Sequence, residues 1–296
     1  MPITPIAVAI HGGAGNLARY STTSRLAEAE SFLSTLIDSL YADLEKGASA
    51  IDVVTQAAIA LEDSGLFHAG RGSSPTSQGY VELDASIMDG KTRSAGAVAA
   101  VRTIRNPIRA ARLVMESTSH VLMVGAEADT LAAKAGLHTV DDSWFTPCDV
   151  SAGAWQVDDK TARGTIGAVA LDEHGNLCAA TSTGGTLYKQ AGRVGDSPII
   201  GAGTYAMDAV AAVSCTGVGE YFMREVAAYQ VCSRMHLLGE TVLSASGNVL
   251  TRIANLGGDG GMIAIDSRGA FALPFNTTGM YRAARNSAGR RIVACL

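Results

Sequence analysis

Gly164-Thr165-Ile166-Gly167-Ala168-Val169-Ala170-Leu171-Asp172 lies in the middle of the chain, where a Gly-Thr bond opens an apolar, strand-like run. A polar turn follows, and a second run extends from Leu177 to about Ser182. Threonine is at home in strands because its Cβ is branched. It is also a latent nucleophile. If the bond before Thr165 is cut, one residue carries both a hydroxyl and a free α-amine. That amine titrates near pH 7.7–8.0 in peptides, so at neutral pH it can take the hydroxyl proton. A threonine activated by its own terminal amine is a recognised solution to nucleophilic catalysis.

Outward from this stretch, strands and helices alternate in both halves. Ile6–Ile10 reads as a short strand stopped by His11-Gly12-Gly13-Ala14-Gly15. Phe32, Leu33, Leu36, Ile37, Leu40 and Leu44 fall on one face of a helix over 26–46. Ser49 and Asp52 form a capping-box pair for the next helix, which Gly65 ends. Strands are predicted over 81–88, 95–101, 165–171, 177–182 and 210–215. Asn106-Pro107 has the form of a helix start, a capping side chain before proline. A short helix is expected over 127–135 and one long helix over 219–238, with a hairpin around Ser267-Arg268-Gly269. Periodicity fails over 141–163, which reads as an exposed linker. The frequency of hairpins favours stacked layers over a doubly wound sheet.

Composition narrows the function. The 296 residues are 47% hydrophobic and 17% charged, enough for a large core, and the net charge is -5. No Lys/Arg run exists, so no nucleic acid partner is expected. No apolar run of about 18 residues exists either, so no membrane span is expected. Met1-Pro2-Ile3-Thr4-Pro5 lacks the basic start of a secretory leader. The five cysteines (Cys148, Cys178, Cys215, Cys232, Cys295) show no C-x-x-C spacing and read as reduced thiols of a cytoplasmic protein. The histidines lack metal-ligand spacing, so no catalytic metal is expected. His11-Gly12-Gly13-Ala14-Gly15 lacks the features of a phosphate or dinucleotide loop and reads as a close-packed turn near the active site, with no direct chemical role.

Several longer motifs share one order: Ile10-His11-Gly12-Gly13-Ala14-Gly15, Asp84-Ala85-Ser86-Ile87-Met88-Asp89-Gly90, the Thr165 stretch, and Ala179-Ala180-Thr181-Ser182-Thr183-Gly184-Gly185. Gly192-Arg193-Val194-Gly195-Asp196-Ser197-Pro198, Ser214-Cys215-Thr216-Gly217-Val218-Gly219-Glu220 and Phe275-Asn276-Thr277-Thr278-Gly279 complete the set. Together they resemble the plant-type asparaginase and isoaspartyl peptidase family of N-terminal-nucleophile hydrolases, over nearly the whole chain except 141–163. The resemblance implies an α+β fold, a four-layer αββα sandwich forming one domain over 1–296. It implies self-cleavage between Gly164 and Thr165 into an α subunit (1–164) and a β subunit (165–296), paired as a dimer of αβ heterodimers. The implied small-molecule substrates are L-asparagine and β-aspartyl (isoaspartyl) dipeptides, hydrolysed through an aspartyl ester without a cofactor.

The same resemblance distributes roles. Thr165 is the nucleophile and Thr183 orients it. The Thr216 hydroxyl and Gly217 N–H form the oxyanion hole, which needs two donors aimed at developing charge. Arg193 grips the substrate α-carboxylate, while Asp196 and the Gly219 carbonyl take the α-ammonium. The loop 61–69 resembles one whose carbonyls bind a structural sodium ion. Where the family usually has asparagine, this chain has Phe67-His68-Ala69-Gly70. His68 is larger and titratable; it either changes leaving-group preference or pH dependence, or only packs. Two rival readings are another activity of the superfamily (glycosylasparaginase or processing endopeptidase) and a binding protein that never matures. The absent leader and thiol pattern disfavour a lysosomal glycosylasparaginase, and intact Thr165, Thr183 and Thr216 disfavour the binding protein.

Overall fold

The computed structural model describes residues 5–20, 24–147 and 164–296. The first half contains β1 (Ala7–Gly15), α1 (Arg25–Glu45), α2 (Ala50–Asp63), β2 (Leu83–Asp89), β3 (Ala95–Val101), α3 (Pro107–Ser117), β4 (Leu122–Val124) and α4 (Gly125–Lys134). The second contains β5 (Ile166–Leu171), β6 (Leu177–Thr183), β7 (Thr204–Met207), β8 (Ala211–Gly217), α5 (Gly219–Glu225), α6 (Ala227–Leu238), α7 (Val242–Asn255), β9 (Gly260–Asp266), β10 (Phe271–Ala272), β11 (Gly279–Asn286) and β12 (Arg291–Ala294).

The strands form two sheets, ordered β12-β11-β1-β5-β6-β2-β3-β4 and β10-β9-β8-β7. Strand periodicity sorts their residues into layers. Val8 and Ile10 of β1 and Ile166 and Ala168 of β5 face α1, α2 and α3. Ala7 and Ala9 of β1, with Val169 and Leu171 of β5, meet Ala212, Ile263 and Ile265 of the smaller sheet. That sheet's outer face, with Val213, Cys215, Met262 and Ala264, packs under α6 and α7. The order helix, sheet, sheet, helix is the αββα sandwich expected.

Three local expectations change. β1 does not stop at Ile10: it runs through the glycines to Gly15, with a bulge between His11 and Gly13 where it pairs with β11. Gly12 lies flat against the Phe67 ring, where a Cβ would collide, so these glycines serve close packing within a strand. The long helix expected over 219–238 breaks at Val226, whose φ is +50°. The next N–H groups bond outside the helix, Ala228 to the Ala202 carbonyl (3.1 Å) and Tyr229 to the Gly201 carbonyl (2.8 Å). Asn106 precedes α3 but its side chain does not cap it. Its Nδ2 donates to Asp63 (3.0 Å), and the buried Glu62 carboxylate accepts from Ile108 N (3.1 Å) instead.

Ser49 does cap α2, accepting from Asp52 N at 3.3 Å. The stretch read as a linker begins as a 3₁₀ turn, Asp142–Trp144, followed by the buried Phe145. Trp144 lies under the guanidinium groups of Arg71 and Arg105. The rest of that expectation, residues 148–163, lies outside the described residues. Among the described residues, no helix is long and apolar enough to cross a membrane.

Candidate active site

Thr165 directly precedes β5, and Thr183 ends β6. The antiparallel register pairs Ile166 with Ser182, so the two threonines face each other at the sheet end. Both are buried. Thr165 Oγ1 donates to Thr183 Oγ1 at 3.2 Å. Thr183 in turn donates to the Gly164 carbonyl at 2.8 Å and accepts from Gly185 N–H at 2.9 Å. One hydroxyl therefore touches both Thr165 Oγ1 and the Gly164 carbonyl. Its single proton goes to that carbonyl, leaving its lone pairs for Thr165.

Gly164 is tightly enclosed. A Cβ at Gly164 would lie 2.7 Å from His68 Cδ2 and 2.8 Å from His68 Cβ. On another side, a Cβ at Gly13 would lie 3.0 Å from Gly164 Cα. His68 is buried, its Nδ1 2.9 Å from Ser74 Oγ, and its carbonyl accepts from Gly184 N at 2.9 Å. The position where this chain departs from the resembled family thus packs directly on Gly164.

The β1 bulge also reaches the other side of the site. Ala14 N donates to Thr216 Oγ1 at 3.3 Å, joining the Gly13 turn to the fully buried Thr216 near the end of β8. Gly217 ends that strand with φ +148°, and a Cβ there would clash with the Asp259 carbonyl and Gly260. Only glycine turns the chain here so that its N–H can serve as a donor at the strand end.

Of the three residues expected to bind substrate, Asp196 and Gly219 lie together, while Arg193 turns to Glu220. Asp196 is buried against Gly219 at the start of α5, where a Cβ would come within 2.7 Å of Asp196 Oδ1. Its Oδ2 has no hydrogen-bond partner. Burial pushes its pKa up to about 7, against the opposing pull of its own backbone N–H and of Arg193. Arg193 forms no ion pair with Asp196. It binds Glu220 bidentately, with Nε and Nη2 both at 2.9 Å.

Sequence reasoning passed over the supports behind these groups. Lys189, fully buried through its side chain, lies 3.8 Å from Asp84 and 3.9 Å from Glu82, and donates to the Glu82 carbonyl at 3.1 Å. The Glu82 carboxylate accepts from Gly192 N at 2.9 Å, just before Arg193. Glu62 accepts from Ser182 Oγ at 2.6 Å, one residue before Thr183. Burial raises the Glu62 pKa to about 8, hydrogen bonds from Ser182, Asn106 and Ile108 opposing it. The available signal was a polar residue inside an apolar run: Asp84 in β2, and Thr181 and Ser182 in β6.

Two stacked sheets with a threonine at the mouth of a central strand, its hydroxyl and preceding carbonyl gripped by a second threonine, define the class of N-terminal-nucleophile hydrolases. Comparison with known proteins places the chain within it. The family profile described as Asparaginase matches residues 4–159 and 147–294, and the chain belongs to that family. It is 47% identical to an isoaspartyl peptidase of Escherichia coli, covering 93% of this chain and 91% of the relative. It is 40% identical to a plant-type L-asparaginase of Pyrobaculum calidifontis, covering 92% and 94%. It is 39% identical to an isoaspartyl peptidase/L-asparaginase of Homo sapiens, covering 94% and 92%.

Proposed function

We propose that this protein cleaves itself between Gly164 and Thr165, giving subunits 1–164 and 165–296, and then hydrolyses β-aspartyl dipeptides and L-asparagine. The observation that carries this reading is the Thr183 hydroxyl, in contact with both Thr165 Oγ1 and the Gly164 carbonyl. In the intact chain, Thr183 polarises the carbonyl that Thr165 attacks. The Gly164 carbonyl passes from the Thr165 nitrogen to its oxygen, which frees the Thr165 amine and leaves an ester, and water then hydrolyses the ester to a Gly164 carboxylate and the Thr165 hydroxyl.

In the mature enzyme that amine takes the hydroxyl proton as Thr165 attacks the substrate's side-chain carbonyl. Thr216 and Gly217 N–H donate to the oxyanion. Ammonia or an amino acid leaves with the proton, and water hydrolyses the ester to aspartate. Asp196, with its unpartnered oxygen, receives the α-ammonium together with the Gly219 carbonyl. Arg193 receives the α-carboxylate. Both ends of the aspartyl group are then read, while the leaving group is read by neither.

The mechanism itself needs no cofactor. The family resemblance puts a structural sodium ion on backbone carbonyls of the 61–69 loop, and those of Gly65 and Phe67 both lie beside Gly72. Such an ion would brace the loop carrying His68. Among the described residues no cluster of His, Cys, Asp and Glu could hold a metal. We read the working assembly as a cytoplasmic dimer of αβ heterodimers; the free, buried Cys178, Cys215, Cys232 and Cys295 support a reducing compartment.

The test is hydrolysis of isoaspartyl dipeptides and asparagine by the matured protein, followed by release of aspartate. Thr165→Ala is expected to remain one chain and to release none. A matured wild type that hydrolyses neither substrate would overturn the reading.

A further inference from the structure

Beneath the site runs a chain of buried hydroxyls that the proposed chemistry does not use. His11 Nε2 lies 3.0 Å from Ser214 Oγ, which lies 2.7 Å from Thr181 Oγ1. Thr181 is 2.6 Å from Thr204 Oγ1, and Thr204 is 2.7 Å from Ser86 Oγ. Ser86 donates to the Ser197 carbonyl at 2.6 Å. Ser86, Thr181, Thr204, Ser214 and His11 all have zero exposure.

The chain takes one residue from each of β1, β8, β6, β7 and β2, so it stitches the two sheets together across their shared layer. Its members sit beside the groups of the site. Thr181 precedes Thr183 by two residues on β6, and Ser214 precedes Thr216 by two on β8, each pair on one face of its strand. Gly167, two residues after Thr165, has no Cβ because Ser214 Oγ and His11 Nε2 occupy that space. At the far end, Ser197 follows Asp196. The chain thus connects the strands of the nucleophile and oxyanion donors to the loop that binds the ammonium.

A layer of alanine and valine would fill this space without burying polar groups, and leaving any of them unpaired costs about 1–3 kcal/mol. Each hydroxyl of the chain has its partner, while His11 Nδ1, on the far side of the ring, has none among the described residues. Burial holds the His11 pKa down to about 3, against a weaker opposing effect of the Thr165 backbone, so the ring is neutral and adds no charge to the layer.

We propose that the Ser214–Thr181–Thr204–Ser86 chain is a positioning layer that holds the Thr165 and Thr216 strands in fixed relation to the Asp196 loop, so that gripping the substrate's amino-acid end aligns its side-chain carbonyl with the nucleophile. The inference rests on the proposed hydrolase reading. Thr204 is the informative member, because it lies toward the Ser197 end of the chain, yet alignment at Thr165 depends on it. A hydroxyl both donates and accepts, so an isosteric valine breaks the links on both sides at once, whereas serine restores both.

The experiment measures kcat, KM, self-cleavage rate and melting temperature for wild type, Thr204→Val, Thr204→Ser and Ser86→Ala. Thr204→Val is expected to lower kcat about tenfold, the worth of one misaligned hydrogen bond, with a smaller change in KM. Thr204→Ser is expected to recover at least half of wild-type kcat, although it lacks the packing methyl. If Thr204→Val does not fold, Ser86→Ala is read instead, with the same expected fall in kcat. A lowered melting temperature with kcat within twofold of wild type, or a kcat loss that serine does not recover, would overturn the positioning role. Wild-type inactivity in the same assay would instead refute the hydrolase reading.

Discussion

Thr183 Oγ1 stands 3.2 Å from Thr165 Oγ1 and 2.8 Å from the carbonyl oxygen of Gly164, with Gly185 N–H bonded to its back. In the proposed self-cleavage that hydroxyl has two tasks: polarising the Gly164 carbonyl and orienting Thr165 Oγ1. Thr183→Val keeps the shape and removes both. It is expected to slow self-cleavage by about 10²–10³, the usual effect of losing one donor to a developing oxyanion. Thr183→Ser is expected to stay within about tenfold of wild type, since it retains the donor. A time course of intact mass after purification checks both.

Gly164 has no room for a side chain. The Cβ of Gly164→Ala would press on His68, 2.7 Å from ring Cδ2 and 2.8 Å from its Cβ, an overpacking of about 1–3 kcal/mol. Self-cleavage of Gly164→Ala is expected to be at least about tenfold slower than wild type. Adding His68→Gly removes both contacted atoms, Cδ2 and Cβ, and is expected to recover much of that loss. Cleavage of Gly164→Ala at the wild-type rate would separate His68 from control of maturation.

Asp196 gives a pH dependence of known sign. In the proposed function its carboxylate form attracts the α-ammonium, and burial pushes its pKa up to about 7. As pH falls below 7 the ionised fraction shrinks, so the inhibition constant of product L-aspartate is expected to rise about tenfold per pH unit. Asp196→Asn should bind aspartate weakly with little pH dependence across the same range. Inhibition measured from pH 5.5 to 8.5 tests this.

Glu62 affects stability in the opposite direction from an ion-paired acid. Its folded pKa of about 8 lies above its ordinary value of 4.5, so between these pH values the folded protein holds a proton that the unfolded chain has released. Its contribution to stability is full below about 4.5 and is lost as pH rises through 8. Glu62→Gln keeps an acceptor for Ser182 and Ile108 but cannot ionise. Its urea midpoint is expected to fall less than that of wild type between pH 5.5 and 8.5. Parallel midpoint curves would show that Glu62 does not titrate in this window.

The fold was legible where periodicity was strong. β5, β6, α1 and α2 lie within two residues of their sequence-based bounds because each shows one consistent repeat. Glycine misled at β1: His11-Gly12-Gly13 has the composition of a turn, but β11 supplies a ladder and Phe67 fills the missing side-chain space. Val226 could not be read as a helix break, because the carbonyls that draw the chain aside belong to Gly201 and Ala202 in a separate loop.

In the site, Thr165, Thr183 and Thr216 were singled out by motif order, and the fold places Thr165 and Thr183 in contact. Asp196 and Gly219 come together, but the Glu220 partner of Arg193 depends on how α5 packs over the 193–196 loop. The buried Lys189 cluster and the hydroxyl chain join residues of different strands, a juxtaposition that only the tertiary structure reveals.

The central claim is that Thr165 becomes an N-terminus. Intact mass spectrometry of the purified, denatured wild type over several days at neutral pH tests it most directly. Two fragments meeting between Gly164 and Thr165, with the Thr165→Ala protein remaining whole, is the predicted result. A wild type that stays a single chain yet hydrolyses isoaspartyl dipeptides would contradict the claim, because the base for its nucleophile would then have to come from elsewhere.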